Sequence, residues 1–352
     1  MEYFLNPIYY INTFHFCLLA LLIFALFSSF TEKPVYGLNF LVMGLFYILI
    51  VLIGFRPVHR VFGDMGNYAE HYESNSYGLK DSSDIFFYYL MNIFKRLDIP
   101  TNFYFAFNFV FYLIPMLIFS KIHFRKLWPY AFLMFLCFFE FFSYGTNGIR
   151  NGLACSIFIL ALSFENKKYF RYIYLFSAVL FHFSLILPVT GYLISLYFQK
   201  VKYFFVFWFS TLIISLFSGD IFSSLFSRFL PERTNYYLNN VDEVIYKTGF
   251  RIDFIIYSFI GVLASYYFIY IKKFEDKFYN KLVMVFLFSN SFWLLVIRAN
   301  FTNRIAYLSW FILAPVIIYP LLKTKFFKNQ FSKICLIILF FFSISFYLNI
   351  LR

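Results

Sequence analysis

Apolar runs of roughly 18 residues or more recur along the whole chain, separated by short polar turns in which Lys and Arg concentrate. The runs fall at about 8–30, 37–54, 101–120, 127–143, 148–164, 169–183, 186–199, 203–219, 251–271, 281–297, 304–322 and 333–350. A helix crosses a hydrocarbon core with about 20 residues. The pattern therefore predicts an all-α polytopic membrane protein with about twelve transmembrane helices. An outer-membrane barrel would need short segments of alternating polarity instead, and the sequence offers none.

The stretch 169–199 is short for two crossings and long for one, so charge has to decide it. Lys121, Arg125 and Lys126 crowd one short loop, and Lys167, Lys168 and Arg171 a second. Lys272, Lys273, Lys277 and Lys281 form a third, and Lys323, Lys325, Lys328 and Lys333 a fourth. Basic residues of short loops stay on the cytoplasmic side. Keeping all four inside, with Lys200 and Lys202, makes the chain turn outward near His182–Pro188 and return. The stretch is then a tight helical hairpin, with Pro188 in the first turn of its second helix.

The same parity puts both termini outside and Thr31–Tyr36 inside, with long outer loops over 55–100 and 220–250. Within the first of these, residues 84–97 (D-I-F-F-Y-Y-L-M-N-I-F-K-R-L) have an amphipathic helical pattern suited to the membrane surface. The first apolar run follows Glu2, not a basic segment, and is read as a span rather than a signal peptide. The whole chain, 1–352, reads as a single integral membrane domain.

Composition agrees. Of 352 residues, 62% are hydrophobic and only 13% charged, against about a quarter charged in soluble domains. The net charge of +13 would suggest nucleic acid in a soluble protein, but here topology accounts for it and no nucleic-acid partner is expected. Cys17, Cys137, Cys155 and Cys335 each lie inside an apolar run without C-x-x-C spacing, so they read as small buried hydrophobes. The chain lacks H-E-x-x-H, D-x-D, G-x-S-x-G and a P-loop. Metal, serine-hydrolase and ATP-driven chemistry are therefore not expected, and neither is a cofactor.

What remains is a set of polar residues at the outer ends of spans: Arg56, Asp64, Arg150, His182, Arg251, Arg298 and Arg304. An ionisable group at a membrane boundary is a functional candidate. Arginines gathered on one face without acids beside them suit a highly charged anion, because guanidinium binds phosphate bidentately and stays charged when poorly hydrated. In N-G-I-R-N-G (147–152), Arg150 points from the first turn of a helix whose positive end adds to the attraction. Asn147 precedes it, and Glu140 lies about a turn inside the neighbouring span, where it would need an arginine as partner. Asp64 follows Gly63 in a loop that can turn tightly, and His182 sits near the hairpin turn; either could act as a base. In I-R-A-N-F-T-N-R-I-A-Y (297–307), Arg298, Asn303, Arg304 and Tyr307 crowd a turn on the outer side, against the usual charge bias.

These motifs carry a resemblance. G-F-R, G-D-x-x-x-Y, N-G-I-R-N-G-L-A, L-F-H-F-S and N-R-I-A-Y, in that order from about residue 54 to 322, resemble the EpsG-like branch of the Wzy-type polymerases. The chain departs from the common pattern at Asn151, where a Gln is usual, and at Phe62-Gly63-Asp64. The resemblance implies a GT-C-like membrane fold in the bacterial cytoplasmic membrane. It implies metal-independent glycosyl transfer on the outer face, polymerising undecaprenyl-pyrophosphate-linked repeat units of O-antigen, capsule or exopolysaccharide. An acceptor hydroxyl would attack the anomeric carbon and lipid pyrophosphate would leave. Asp64, His182, Arg150 and Arg304 would carry the catalysis, with the base open between Asp64 and His182. Arg56, Asn147, Arg298, Asn303, Tyr307 and Glu140 would bind substrate. Membrane lipid, a flippase and a chain-length regulator are the partners expected. A lipid-linked oligosaccharide flippase and an O-antigen ligase share the spans and cationic sites. A flippase must offer its charges to both faces and is often built from repeats, and neither feature is legible, which favours the enzyme.

Overall fold

The computed structural model describes residues 5–30, 34–74, 84–217, 221–222, 249–299 and 302–351. Glu2, part of the Thr31–Tyr36 turn, residues 75–83 of the first outer loop and nearly all of the 220–250 loop lie outside the described residues. Every regular element among the described residues is a helix.

The chain forms two compact units, Met1–Phe183 with Leu321–Arg352, and Ser184–Pro320. In the first unit, α1 (Pro7–Ser28) starts on Pro7 with the Asn6 side chain accepting from the Ile8 N–H, a capped start of the expected kind. It is followed by α2 (Leu38–Gly54), α3 (Asp64–Glu73) and α4 (Ile85–Arg96). The helix expected at 84–97 is thus present as α4. It buries Phe87, Tyr88 and Met91 and exposes Ile85, Tyr89 and Ile93, an apolar outer face compatible with lipid.

Helix α5 (Thr101–Phe124) carries Pro115 in its interior. The chain then turns at Arg125, which adopts φ +46°. The span expected at 127–143 is two helices, α6 (Trp128–Cys137) and α7 (Phe139–Thr146). They are separated by an extended Phe138 at φ −74°, ψ 138°, stacked on Phe341 at 4.6 Å. After them come α8 (Ile149–Ser163) and α9 (Lys168–Phe181). The close turn between α7 and α8 depends on Gly152: a Cβ there would stand 2.7 Å from the Tyr144 carbonyl oxygen.

The second unit holds α10 (Ile186–Tyr197), α11 (Val201–Phe217), α12 (Ile252–Ile271), α13 (Lys277–Leu295) and most of α14 (Thr302–Lys323). Pro188 falls in the first turn of α10, as expected. The core of this unit is tied by polar groups that satisfy one another. Asn290 accepts from Trp208 Nε1 at 2.8 Å and donates to Ser258 and Ser309, each at 2.9 Å. Such closed networks hold helices together where lipid gives no hydrophobic drive. The chain closes with α15 (Gln330–Leu351) in the first unit.

Among the described residues, six helical stretches are long and apolar enough to cross a membrane, and four further apolar helices are shorter. Two further crossings come only from dividing Thr101–Cys137 at Arg125 and from counting the 14-residue α9. Length and composition therefore establish a polytopic membrane protein, while a count of twelve also depends on where the short helices sit in the bilayer.

Candidate functional site

Of the sequence-predicted residues of the first unit, Asp64, Asn147, Arg150 and His182 lie where α3, α8 and α9 begin or end. Gly63 adopts φ 67°, ψ −126°, a conformation that favours glycine. A Cβ at Gly63 would stand 2.4 Å from Asn147 Oδ1, and that same oxygen accepts from the Asp64 N–H at 2.9 Å. Asn147 thus pins the start of α3 onto the α7–α8 turn. Among the described residues the Asp64 carboxylate has no hydrogen-bond partner.

Arg56 turns inward. It is only 2% exposed, with Nη1 donating to the Ile53 carbonyl and Nη2 to the Thr146 carbonyl, both at 2.7 Å. Its guanidinium lies 5.5 Å from the Phe62 ring. Burial pulls its pKa down to about 10. In this arrangement Arg56 clamps the end of α2 to the end of α7.

The residue that joins Arg150 to His182 is Asp84, to which sequence reasoning gave no role. Arg150, second residue of α8, donates from Nη1 to Asp84 Oδ2 at 2.6 Å and from Nε to Tyr68 Oη at 2.8 Å. Its guanidinium lies over the rings of Tyr68 and Tyr88, 5.2 and 5.8 Å from their centroids. Helix α9 ends at Phe181, and His182 is extended at φ −156°, ψ 119°, which carries the imidazole away from the helix. Its Nδ1 lies 3.0 Å from Asp84 Oδ1, which also accepts from the Phe183 N–H at 3.2 Å. Side-chain exposure falls from 27% at His182 to 12% at Arg150 and 5% at Asp84.

The carboxylate therefore sits at the bottom of the group, holding a cation on one oxygen and an imidazole on the other. Desolvation would raise the Asp84 pKa. The hydrogen bond and charge of His182, the charge of Arg150 and the Phe183 N–H outweigh it and hold the group below the usual carboxylate range. Burial pushes the Tyr68 phenol up to about 12, against the opposing pull of Arg150. Among the described residues nothing occupies Arg150 Nη2 or His182 Nε2, so a ligand meets one guanidinium nitrogen and one ring nitrogen.

Two sequence expectations are corrected by these contacts. The outer arginines do have acids beside them: Arg150 pairs with Asp84, and Arg251 pairs with Asp253 through bonds of 2.9 and 2.7 Å. Glu140 does not partner Arg150. It is 1% exposed, and among the described residues neither of its oxygens has a hydrogen-bond partner.

In the second unit, Arg304 is exposed in the first turn of α14, with Asn303 and Tyr307 half-buried beside it. Tyr307 packs on Trp310 at 5.5 Å, and Thr302 Oγ1 accepts from Trp293 Nε1 at 2.8 Å. Arg298 lies 5.5 Å from the Phe250 ring, and its Nε is buried without a hydrogen-bond partner. Among the described residues no three His, Cys, Asp or Glu side chains converge as metal ligands.

Asp84 could have been noticed only as an acid at the head of an amphipathic helix, where an N-cap is the ordinary reading. Its side chain makes no cap hydrogen bond and instead meets Arg150 at the start of α8 and His182 and Phe183 just past α9. Tyr68 was visible as the last residue of G-D-x-x-x-Y, without a role.

A family model described as the EpsG family matches residues 39–352. No curated protein and no solved structure matches the chain.

Proposed function

The chain belongs to the EpsG family, of polysaccharide-polymerase type, and from that premise we propose that it polymerises lipid-pyrophosphate-linked oligosaccharide units at the outer face of a bacterial cytoplasmic membrane. The donor is a growing glycan on undecaprenyl pyrophosphate, and the acceptor is a single lipid-linked unit. An acceptor hydroxyl attacks the anomeric carbon, and the diphosphate leaves with the bonding electrons. Negative charge builds on that leaving group, so a cation poised beside it favours the transition state over the ground state.

Arg150 is the observation that carries this reading. Its Nε and Nη1 are held by Tyr68 and Asp84, which orients the guanidinium and leaves Nη2 for a phosphate oxygen. The side of the unit supports the outer face. Tyr68 packs on Phe87 and Phe87 on Tyr104, in the first turn of α5, whereas the basic Lys323 donates to the His123 carbonyl in its last turn. At a rise of 1.5 Å per residue those turns are on the order of 28 Å apart, close to the thickness of a hydrocarbon core. Positive charge in short loops supports a cytoplasmic Lys323 end. Separately, Arg304 and Arg298 of the second unit are proposed as anion ligands, with Asn303 and Tyr307 as glycan contacts.

Deleting the chain from its host, with sugar composition and linkage read on surface and lipid fractions, tests the proposal. Single units displayed outside without long glycan are the expected result. Single units accumulating on the inner leaflet would make the chain a flippase instead.

A further inference from the structure

We infer that His182 is the general base that takes the acceptor hydroxyl proton, and that Asp84 is the positioning residue that makes it one. The inference rests on the polymerase reading. Sequence leaves Asp64 and His182 as equal candidates; the contacts around them differ.

Asp84 Oδ1 can only accept, so the 3.0 Å contact requires His182 Nδ1 to be the donor. In a neutral ring the lone pair then lies on Nε2, the nitrogen that nothing occupies among the described residues. The same oxygen takes the Phe183 N–H at 3.2 Å, which ties the carboxylate to the backbone beside the imidazole and limits how the ring can swing. Asp84 itself is 5% exposed against 27% for His182: the carboxylate is enclosed, and the ring opens toward solvent. A base held in one tautomer by a buried carboxylate is the arrangement that activates hydroxyl nucleophiles. Asp64 has no comparable support. Among the described residues its backbone N–H is held by Asn147, and no hydrogen bond orients its carboxylate.

The sharing of one carboxylate also couples the two halves of the reaction. The acceptor O–H proton moves to His182 Nε2, the acceptor oxygen bonds to the anomeric carbon, and the bond from that carbon to the diphosphate oxygen breaks. The electron pair leaves with the diphosphate, on the Arg150 side. The ring becomes a cation next to Asp84 Oδ1 as charge gathers near the guanidinium held by Asp84 Oδ2. The proton on His182 then passes to water or to the departing diphosphate, which restores the base.

The test uses full-length variants in membranes of the deletion host, supplied with that host's own extracted lipid-linked units and read as a glycan ladder. His182→Asn keeps a donor where Nδ1 stood and has no basic nitrogen, so it folds, and polymerisation falls about 10²–10⁴-fold, the range of a general base. His182→Gly loses as much, and added imidazole restores at least about tenfold of it, which a purely structural residue would not allow. Asp84→Asn lowers turnover by about 10²–10⁴-fold, with half-saturation for the lipid-linked unit within about threefold of wild type. His182→Asn near wild-type rate, or Asp84→Asn near wild-type rate, overturns the inference. So does His182→Gly without imidazole rescue. If wild-type membranes extend nothing, the polymerase reading itself falls; if they build the ladder and His182 proves dispensable, only the base assignment does.

Discussion

Replacing Arg150 by lysine separates what its charge does for the fold from what its shape does for the reaction. The lysine keeps a positive charge for Asp84, which at 5% exposure cannot be left unpaired. It loses the Nε bond to Tyr68 and the 3.3 Å contact of Nη1 with Tyr88, and it presents no second nitrogen to a ligand. A hydrogen bond involving a charged group contributes about 1.5–3 kcal/mol, so Arg150→Lys should cost about 2 kcal/mol of stability. Arg150→Ala removes the cation from a buried carboxylate that keeps His182 and the Phe183 N–H as partners, a loss on the order of 3 kcal/mol. Removing one preorganised donor from the developing oxyanion slows a reaction about 10²–10³-fold. The expected pattern is a lysine variant that purifies as wild type, melts a few degrees lower and polymerises about 10²–10³ times more slowly. Thermal size-exclusion of the detergent-solubilised chain gives the first measurement, and ladder formation per folded molecule the second. Arg150→Lys within about threefold of wild-type turnover would refute a transition-state role for the guanidinium. A lysine variant as unstable as alanine would refute the division of labour.

Three further outcomes follow from named contacts. Gly63→Ala forces an L residue into φ 67°, ψ −126° with its Cβ 2.4 Å from Asn147 Oδ1; at about 1–3 kcal/mol of strain it should melt earlier and lose at least about tenfold in ladder formation, as assayed on purified protein. Arg56→Lys keeps the charge but only one of the two carbonyl bonds of 2.7 Å, so melting should fall by about 1.5–3 kcal/mol while activity per folded molecule holds. For pH, the Asp84 pKa is depressed in the folded chain, so its stabilisation is complete above the unfolded carboxylate value of about 3.9 and is lost as pH falls through the lower folded value. The melting difference between wild type and Asp84→Asn should therefore persist as pH falls to about pH 5 and shrink only below about pH 4; a difference already fading at pH 6 would contradict the pairing.

The helices are legible in the sequence because they follow local rules. Apolar run length sets the spans, and Lys and Arg in short loops give an expected face, with Lys121 and Lys323 on one side. Arg150 and His182 are visible for the same reason, being ionisable groups in apolar surroundings. The break at Phe138 is not legible: it sits in L-C-F-F-E without Gly or Pro, and depends on packing such as the Phe138–Phe341 stack. Arg56 is legible as a charge, yet nothing local tells whether its guanidinium meets phosphate or the carbonyls of Ile53 and Thr146. Asp84 is the instructive miss. Written D-I-F-F, it looks like the cap of a surface helix, and only the approach of α8 and α9 turns it into the carboxylate on which the site is built.

The central claim is that the chain itself joins lipid-linked units. The direct measurement is purified full-length chain in proteoliposomes, given only lipid-pyrophosphate-linked single units and followed for glycan length and released lipid diphosphate. A ladder with one diphosphate released per unit added, unchanged by chelator, is the predicted result. Units that cross the bilayer without growing in length, or growth that stops when metal is removed, would contradict it.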